Sequence, residues 1–226
     1  MRPTRIVETH GWGIGVAIVG AITVLAALVT AARMGHAAAP GDPVPPGAER
    51  FVIDPAVSTA AYRVGETALL QNRFHAATGV TNVIQGHVDV DLTHPQTARI
   101  GMVTVDLSQL RSDSARRDSA LRARWLESAR YPTAAFTPIA IEGLPDAYTD
   151  GRVVPVRVTG FLTVRTVTQP VTFAGTVVIE GATLTSALST TVRMTDFGFE
   201  PPSLLGVFRV DDDVVVDVHI TARRTT

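Results

Sequence analysis

The chain has 226 residues, 46% of them hydrophobic, with a formal net charge of −1 and cations that are all arginine. So even a balance argues against a nucleic-acid partner, which needs a basic surface to neutralise phosphates. There is no cysteine, which excludes disulfides, thiolate catalysis, cysteine-ligated metals and a lipidated cysteine, so the folded part depends on its apolar core alone.

Residues 1–10 carry Arg2 and Arg5 and are read as a cytoplasmic stub. Residues 11–32 hold no charged side chain. As a helix they would reach about 33 Å against a hydrocarbon core of roughly 30 Å, so a transmembrane anchor is expected. The other reading is a cleaved secretory signal, since Ala37-Ala38-Ala39 offers small residues for cleavage; the apolar run is longer than the ~7–15 residues of a signal's core. Either way the rest of the chain is expected to be extracytoplasmic, and with the anchor the location is the cell membrane, single-pass. Residues 33–50, with Pro40, Pro43, Pro45 and Pro46, read as an extended Pro/Gly-rich linker. Residues 51–226 form the expected folded domain.

From Phe51 onward the apolar residues alternate. Ile84, Val88 and Val90 oppose Gln85, His87 and Asp89; Val154, Val156, Val158, Leu162 and Val164 oppose Arg157, Thr159 and Thr163. Val171, Phe173, Val177 and Ile179 oppose Thr172, Thr176 and Glu180; Leu184, Leu188 and Val192 oppose Thr185, Ser189 and Arg193; Val214, Val216, Val218 and Ile220 oppose Asp217, His219 and Thr221. Period-two alternation marks half-buried strands, each with one wet face. With less regular strands near 51–54, 58–66, 98–107 and 134–142, the set numbers about eight or nine and is antiparallel all-β. Alternation alone leaves a two-sheet sandwich and a closed barrel open.

One stretch, 114–127, reads as helical, with Leu121, Trp125 and Leu126 on one side and Asp113 or Ser114 as N-cap. It is rich in arginine, and Arg116, Arg117, Arg122 and Arg124 are candidates for contact with a lipid headgroup or a membrane surface. Arg117 with Asp118 reads as an ion pair or a helix-end contact that fixes the helix, and Arg193 with Asp196 as a structural pair at a strand end. His75, His87, His94 and His219 are scattered without metal-ligand spacing and read as exposed polar positions. Asp211-Asp212-Asp213 reads as a polar turn, since it lacks the spaced oxygens of a calcium loop. No nucleophile elbow, triad or phosphate-cradling loop presents itself, so the protein is expected not to be an enzyme.

Four fragments occur in order: Phe51-Val52-Ile53-Asp54 with Ser58; Arg117-Asp118 and Leu121 ahead of Tyr131-Pro132 and Phe136; Gly160-Phe161-Leu162-Thr163-Val164 with Val167-Thr168-Gln169-Pro170-Val171; and Arg193-Met194-Thr195-Asp196-Phe197-Gly198 before 210–218. In this order they make the domain resemble the YceI-like family. Arg165-Thr166 stands where the family commonly has His or Lys and then Gly, so that turn is expected to take another shape.

The resemblance implies a lipocalin-like, eight-stranded antiparallel barrel with one short helix, holding a long isoprenoid lipid inside. It implies no cofactor apart from that lipid as ligand. Tyr62, Val88, Val90, Val103, Phe136, Val156, Val158, Leu162, Phe173, Val177, Leu188 and Phe197 are the candidates to line such a cavity and bind the lipid. The function expected is non-enzymatic carriage of a polyprenyl phosphate or quinone at the outer face of the membrane. The alternative is a packed barrel that docks a membrane-protein partner, and a homodimer also stays open. A polyprenyl tail would need only a dry tunnel, because each buried methylene is worth about 0.8 kcal/mol.

Overall fold

The computed structural model describes residues 43–70, 72–204 and 207–225. The expected stub, the anchor and the linker as far as residue 42 lie outside the described residues. Among those described, no helix is long and apolar enough to cross a membrane.

The elements follow in chain order. The first strands are β1 (Glu49–Ile53), β2 (Thr59–Ala68), β3 (Arg73–Thr81), β4 (Ile84–Gln85) and β5 (His87–Val90). After them come β6 (Arg99–Ile100), β7 (Val103–Asp106), β8 (Arg111–Ser112) and the helix α1 (Ala115–Ala120). The long strands are β9 (Thr133–Glu142), β10 (Val154–Val164), β11 (Val167–Glu180), β12 (Thr183–Arg193) and β14 (Phe208–Arg224), with the short β13 (Ser203–Leu204) before the last. Together they form one curled, antiparallel all-β sheet with a single short helix.

β9, β10, β11, β12 and β14 pair in succession. On its other edge β14 pairs with β2 and then with β1. β2 continues to β3, and β1 to β5. From β9 in the opposite direction, the pairing runs through β7 to β4, which Gly86 alone separates from β5.

Along β10 and β11 the burial alternates as the sequence predicts: Val154, Val156 and Val158 are buried between exposed Pro155 and Arg157, and Val171 and Phe173 flank half-buried Thr172. The alternation follows directly from the pleat, which sends successive side chains to opposite faces. β3 has no such apolar signal. Its inward face is built from Ala77, Gly79 and Thr81, while Phe74 on the same strand is 67% exposed. The inward residues stay small because Tyr62 on β2, paired with Gly79, lies across that position; a Cβ on Gly79 would sit 2.3 Å from the Tyr62 ring.

Three other expectations are corrected. His87 and Asp89 are buried, at 7% and 2% exposure, on a face expected to be wet. The Arg50 guanidinium donates to both Asp89 oxygens at 2.7 and 2.8 Å, and the His87 ring packs where only the hydrogen of Gly101 leaves room. Asp211 to Asp213 form a bulge inside β14 instead of a turn before it, because the register with β2 shifts between Val210 and Val214. Asp212 there accepts hydrogen bonds from the Thr195 backbone N–H (2.9 Å) and hydroxyl (2.6 Å).

The helical stretch is shorter than expected. Ser114 caps α1, its hydroxyl accepting from the Arg117 N–H at 3.3 Å. The chain then widens into one π-helical turn, Leu121–Trp125, closed by the Leu126 N–H on the Leu121 carbonyl at 2.9 Å.

One end of the interior is solid. Phe51, Ile53, Ala60, Ile84, Val90, Ile179, Leu184, Ile220 and Ala222 form a buried cluster there, with Phe51, Ile84 and Ala222 wholly inaccessible.

Candidate functional site

Beyond that cluster the interior is hollow. A cavity of about 1060 Å³ runs inside the curl of the sheet, at the upper end of the range of roughly 300–1,000 Å³ common for small-molecule pockets. Ile53, Ile84, Leu184 and Ile220 belong both to the solid cluster and to the cavity wall, so they form its floor. Phe136, Val158, Leu162, Phe173, Leu188, Val192, Val216 and Val218 line its sides. Phe136 and Phe173 meet edge to face, centroids 5.2 Å apart, the arrangement favoured by the ring quadrupoles.

The burial of these residues carries the interpretation. Leu162, Val164, Leu188, Val192, Val216 and Val218 point inward from long strands, yet each stays only half-buried. A close-packed interior would cover such side chains completely. Here they border open space.

Nine residues expected at the site line the cavity: Tyr62, Val88, Val103, Phe136, Val158, Leu162, Phe173, Leu188 and Phe197. Val90, Val156 and Val177 do not. Val90 is in the solid cluster, Val177 packs against it, and Val156 is 6% exposed beside Val177's neighbour Gly175. Their inward parity was readable, but alternation gives the face of a strand and not the depth along it. The sequence reading missed the floor isoleucines and the mouth, where Trp125, Phe199, Pro202, Val207 and Phe208 line the cavity. Aromatic residues beside Pro201-Pro202, in a stretch without alternation, were the available signal.

The arginines divide. Arg116 and Arg124 are exposed and line the mouth. Arg122 does not: its guanidinium donates to the Leu110 carbonyl at 2.9 Å and braces the helix. Arg117 lines the cavity but is tied to Asp113 at 2.5 Å and to Glu66 at 3.5 Å. Burial works against its charge, and the two carboxylates hold it firmly protonated. Arg117 and Asp118 do not pair with each other, because adjacent helical residues do not face each other, but both make the expected contacts at the helix end. Asp118 instead accepts from the Ser112 hydroxyl (2.6 Å) and backbone N–H. Arg193 does pair with Asp196, at 2.7 Å. Burial raises the Tyr62 phenol above its ordinary range, so it faces the cavity as a neutral hydroxyl.

Arg165 locks the mouth. Its backbone is left-handed (φ 55°) in the two-residue turn between β10 and β11. Its side chain pairs with Glu127, donates to the Trp125 carbonyl at 3.1 Å, and lies 5.4 Å from the centre of the Phe199 ring. Trp125 donates in turn to the Glu200 carbonyl at 3.1 Å. Among the described residues there is no group of three or more His, Asp or Glu able to hold a metal.

Residues 51–222 match the YceI-like domain family. Among solved structures, the fold is similar to BcnA of Burkholderia cenocepacia, with TM-score 0.57 and 21% identity over 75% of this chain and 99% of that one. It is also similar to a polyisoprenoid-binding domain from Saccharophagus degradans implicated in plant cell wall breakdown, with TM-score 0.60 and 14% identity over 77% and 98% of the two chains. A YceI protein of Campylobacter jejuni aligns at TM-score 0.50 and 17% identity, over 63% and 82%. No curated protein matches the sequence.

Proposed function

The chain belongs to the YceI-like family, and on that premise we propose that it is a non-enzymatic carrier of a long isoprenoid lipid, of the polyprenyl phosphate or quinone type. In this reading the segments β1–β2, β3–β5 and β6–β8 act as three kinked strands, which with β9, β10, β11, β12 and β14 close an eight-stranded barrel. The two pairing paths that both reach residues 84–90 support closure. Residues 11–32 anchor the barrel at the outer face of the membrane, so the cargo is held beside the bilayer that supplies it.

The observation that carries the proposal is the hollow interior, about 1060 Å³, walled by inward side chains that remain half-buried. Its floor and sides are largely apolar, interrupted by the Thr81 and Ser186 hydroxyls, which suits a hydrocarbon tail, and its charged lining residues are Glu66, Arg116, Arg117, Arg124 and Arg193. The solvent-free burial of a dozen or so methylenes would contribute on the order of 10 kcal/mol before ordering costs. The description of the Saccharophagus degradans domain as polyisoprenoid-binding points the same way. The same hollow speaks against the alternative of a solidly packed docking module.

Mass spectrometry of organic extracts from the purified protein tests the reading. An isoprenoid is expected at near-stoichiometric yield. Its absence, together with failure to take up added polyprenyl phosphate or quinone, would overturn it.

A further inference from the structure

The turn between β2 and β3 and the chain just before β14 leave an unusual edge beside the cavity mouth. Leu69, Leu70, Phe74 and Val207 are exposed there at 47%, 75%, 67% and 41%. They form one patch: the Leu69 N–H bonds the Val207 carbonyl at 2.9 Å, and Ala68 pairs with both Arg73 and Phe208. The patch adjoins the opening, since Val207, Phe208 and Glu66 line the cavity.

Leu70 and Phe74 neither line the cavity nor belong to a buried cluster. Side chains this apolar and this exposed are uncommon on a free surface and mark contact with an apolar phase or partner. The charge around them selects between these. Arg73 and Arg209 flank the patch, exposed, on β3 and β14, while Arg116 and Arg124, also exposed, line the cavity from the helical segment. Among the described residues none of the four forms an ion pair; Glu66 on this wall is taken up by Arg117, and Asp211, whose carboxylate lies over Gly65 beside the Phe74 ring, is the one acidic group at the patch. Leucines and a phenylalanine framed by four arginines that outnumber the one carboxylate beside Phe74 complement an anionic lipid leaflet: apolar chains enter the interface, and guanidinium groups meet phosphates.

We propose that Leu69, Leu70 and Phe74, with Val207, dock the open end of the cavity onto an anionic lipid surface. Cargo then passes between bilayer and cavity without crossing water. Trp125, half-buried at the mouth, would sit at the level of the headgroups, where indole rings are favoured. The inference rests on the carrier reading for its purpose, but not for its geometry.

The test uses the full chain with Trp12→Phe, leaving Trp125 as the only tryptophan, in phosphatidylcholine liposomes containing brominated chains, with and without phosphatidylglycerol. Strong quenching of Trp125 is expected only with phosphatidylglycerol. Leu70→Asp/Phe74→Asp should abolish it. Arg73→Gln/Arg209→Gln, which leaves the apolar tip intact, should weaken docking about thirtyfold, each cation at an anionic surface being worth roughly fivefold. Quenching that ignores phosphatidylglycerol, or that survives both variants, overturns the proposal. So does concentration-dependent protection of the 66–76 amides from exchange in lipid-free detergent, which would assign the patch to a second copy. Cargo is extracted from every variant in parallel. Anionic quenching in a protein that never yields isoprenoid would uphold the docking and defeat the carrier reading alone, so the two failures separate.

Discussion

Val216→Phe discriminates a hollow interior from a filled one by the sign of its effects. Val216 lies on β14 between Tyr62 of β2 and Thr190 of β12, points inward, lines the cavity and is half-buried. Phenylalanine adds about four carbons to the side chain, and at ~0.8 kcal/mol per buried methylene the gain reaches at most about 3 kcal/mol. In a filled interior the same atoms would have to displace neighbours, at a cost of about 1–3 kcal/mol. In the hollow one they occupy space that a ligand tail would use, so stability rises while affinity falls by a similar amount, about a hundredfold. Urea unfolding of the delipidated protein and displacement of a fluorescent polyprenyl analogue measure the two quantities. A variant destabilised by more than about 1 kcal/mol with unchanged lipid affinity would refute the reasoning.

Val158→Asp places a carboxylate on the cavity wall opposite Phe173; lipid retention in extracts should vanish while near-UV circular dichroism shows a folded barrel, and retention in a folded variant would show that this face is not the lining. Arg50→Ala strands Asp89, whose side chain is 1% exposed, and should cost about 3–5 kcal/mol in urea unfolding; Asp89→Asn added to that background should recover part of the loss. Asp91 is held down to about 2 by the Thr93 hydroxyl and N–H and by His94. Its lowered pKa means that the contribution to stability is present above pH ~4 and disappears as pH falls toward 2. Asp91→Asn should therefore melt below the wild type at neutral pH, and differential scanning calorimetry should find the gap closing on acidification; a constant gap would contradict this.

The sequence was most informative where strands are long and carry one wet face. β10, β11, β12 and β14 from Val214 onward could be read residue by residue because valine and leucine alternate with threonine and arginine. β3 could not, since a strand whose inward side is Ala77, Gly79 and Thr81 shows no apolar period when a neighbour's tyrosine fills the space above it. Burial of His87 and Asp89 was hidden for a related reason: a polar residue counts as exposed in a pattern until its partner is known, and Arg50 lies 39 positions away. The cavity wall was legible as a face. Its floor was not, because Val90 and Val177 obey the same parity as Val88 and Phe173, and only three-dimensional packing distinguishes the plugged depth from the open one. The helix followed its amphipathic signal for one turn and a half before opening into the π turn that brings Trp125 to Glu200.

A cavity stoppered at one end imposes an order on whatever enters it. If the cargo is the proposed isoprenoid, its oily tail has to go in first and come out last, and the end bearing the headgroup stays by the rim throughout. An acceptor enzyme or membrane could therefore inspect and grip that headgroup while the rest is still sheathed. Any guest longer than the bore would have to double back or leave a stretch protruding, so the stopper formed around Phe51 and Ala222 acts as a ruler as well as a wall.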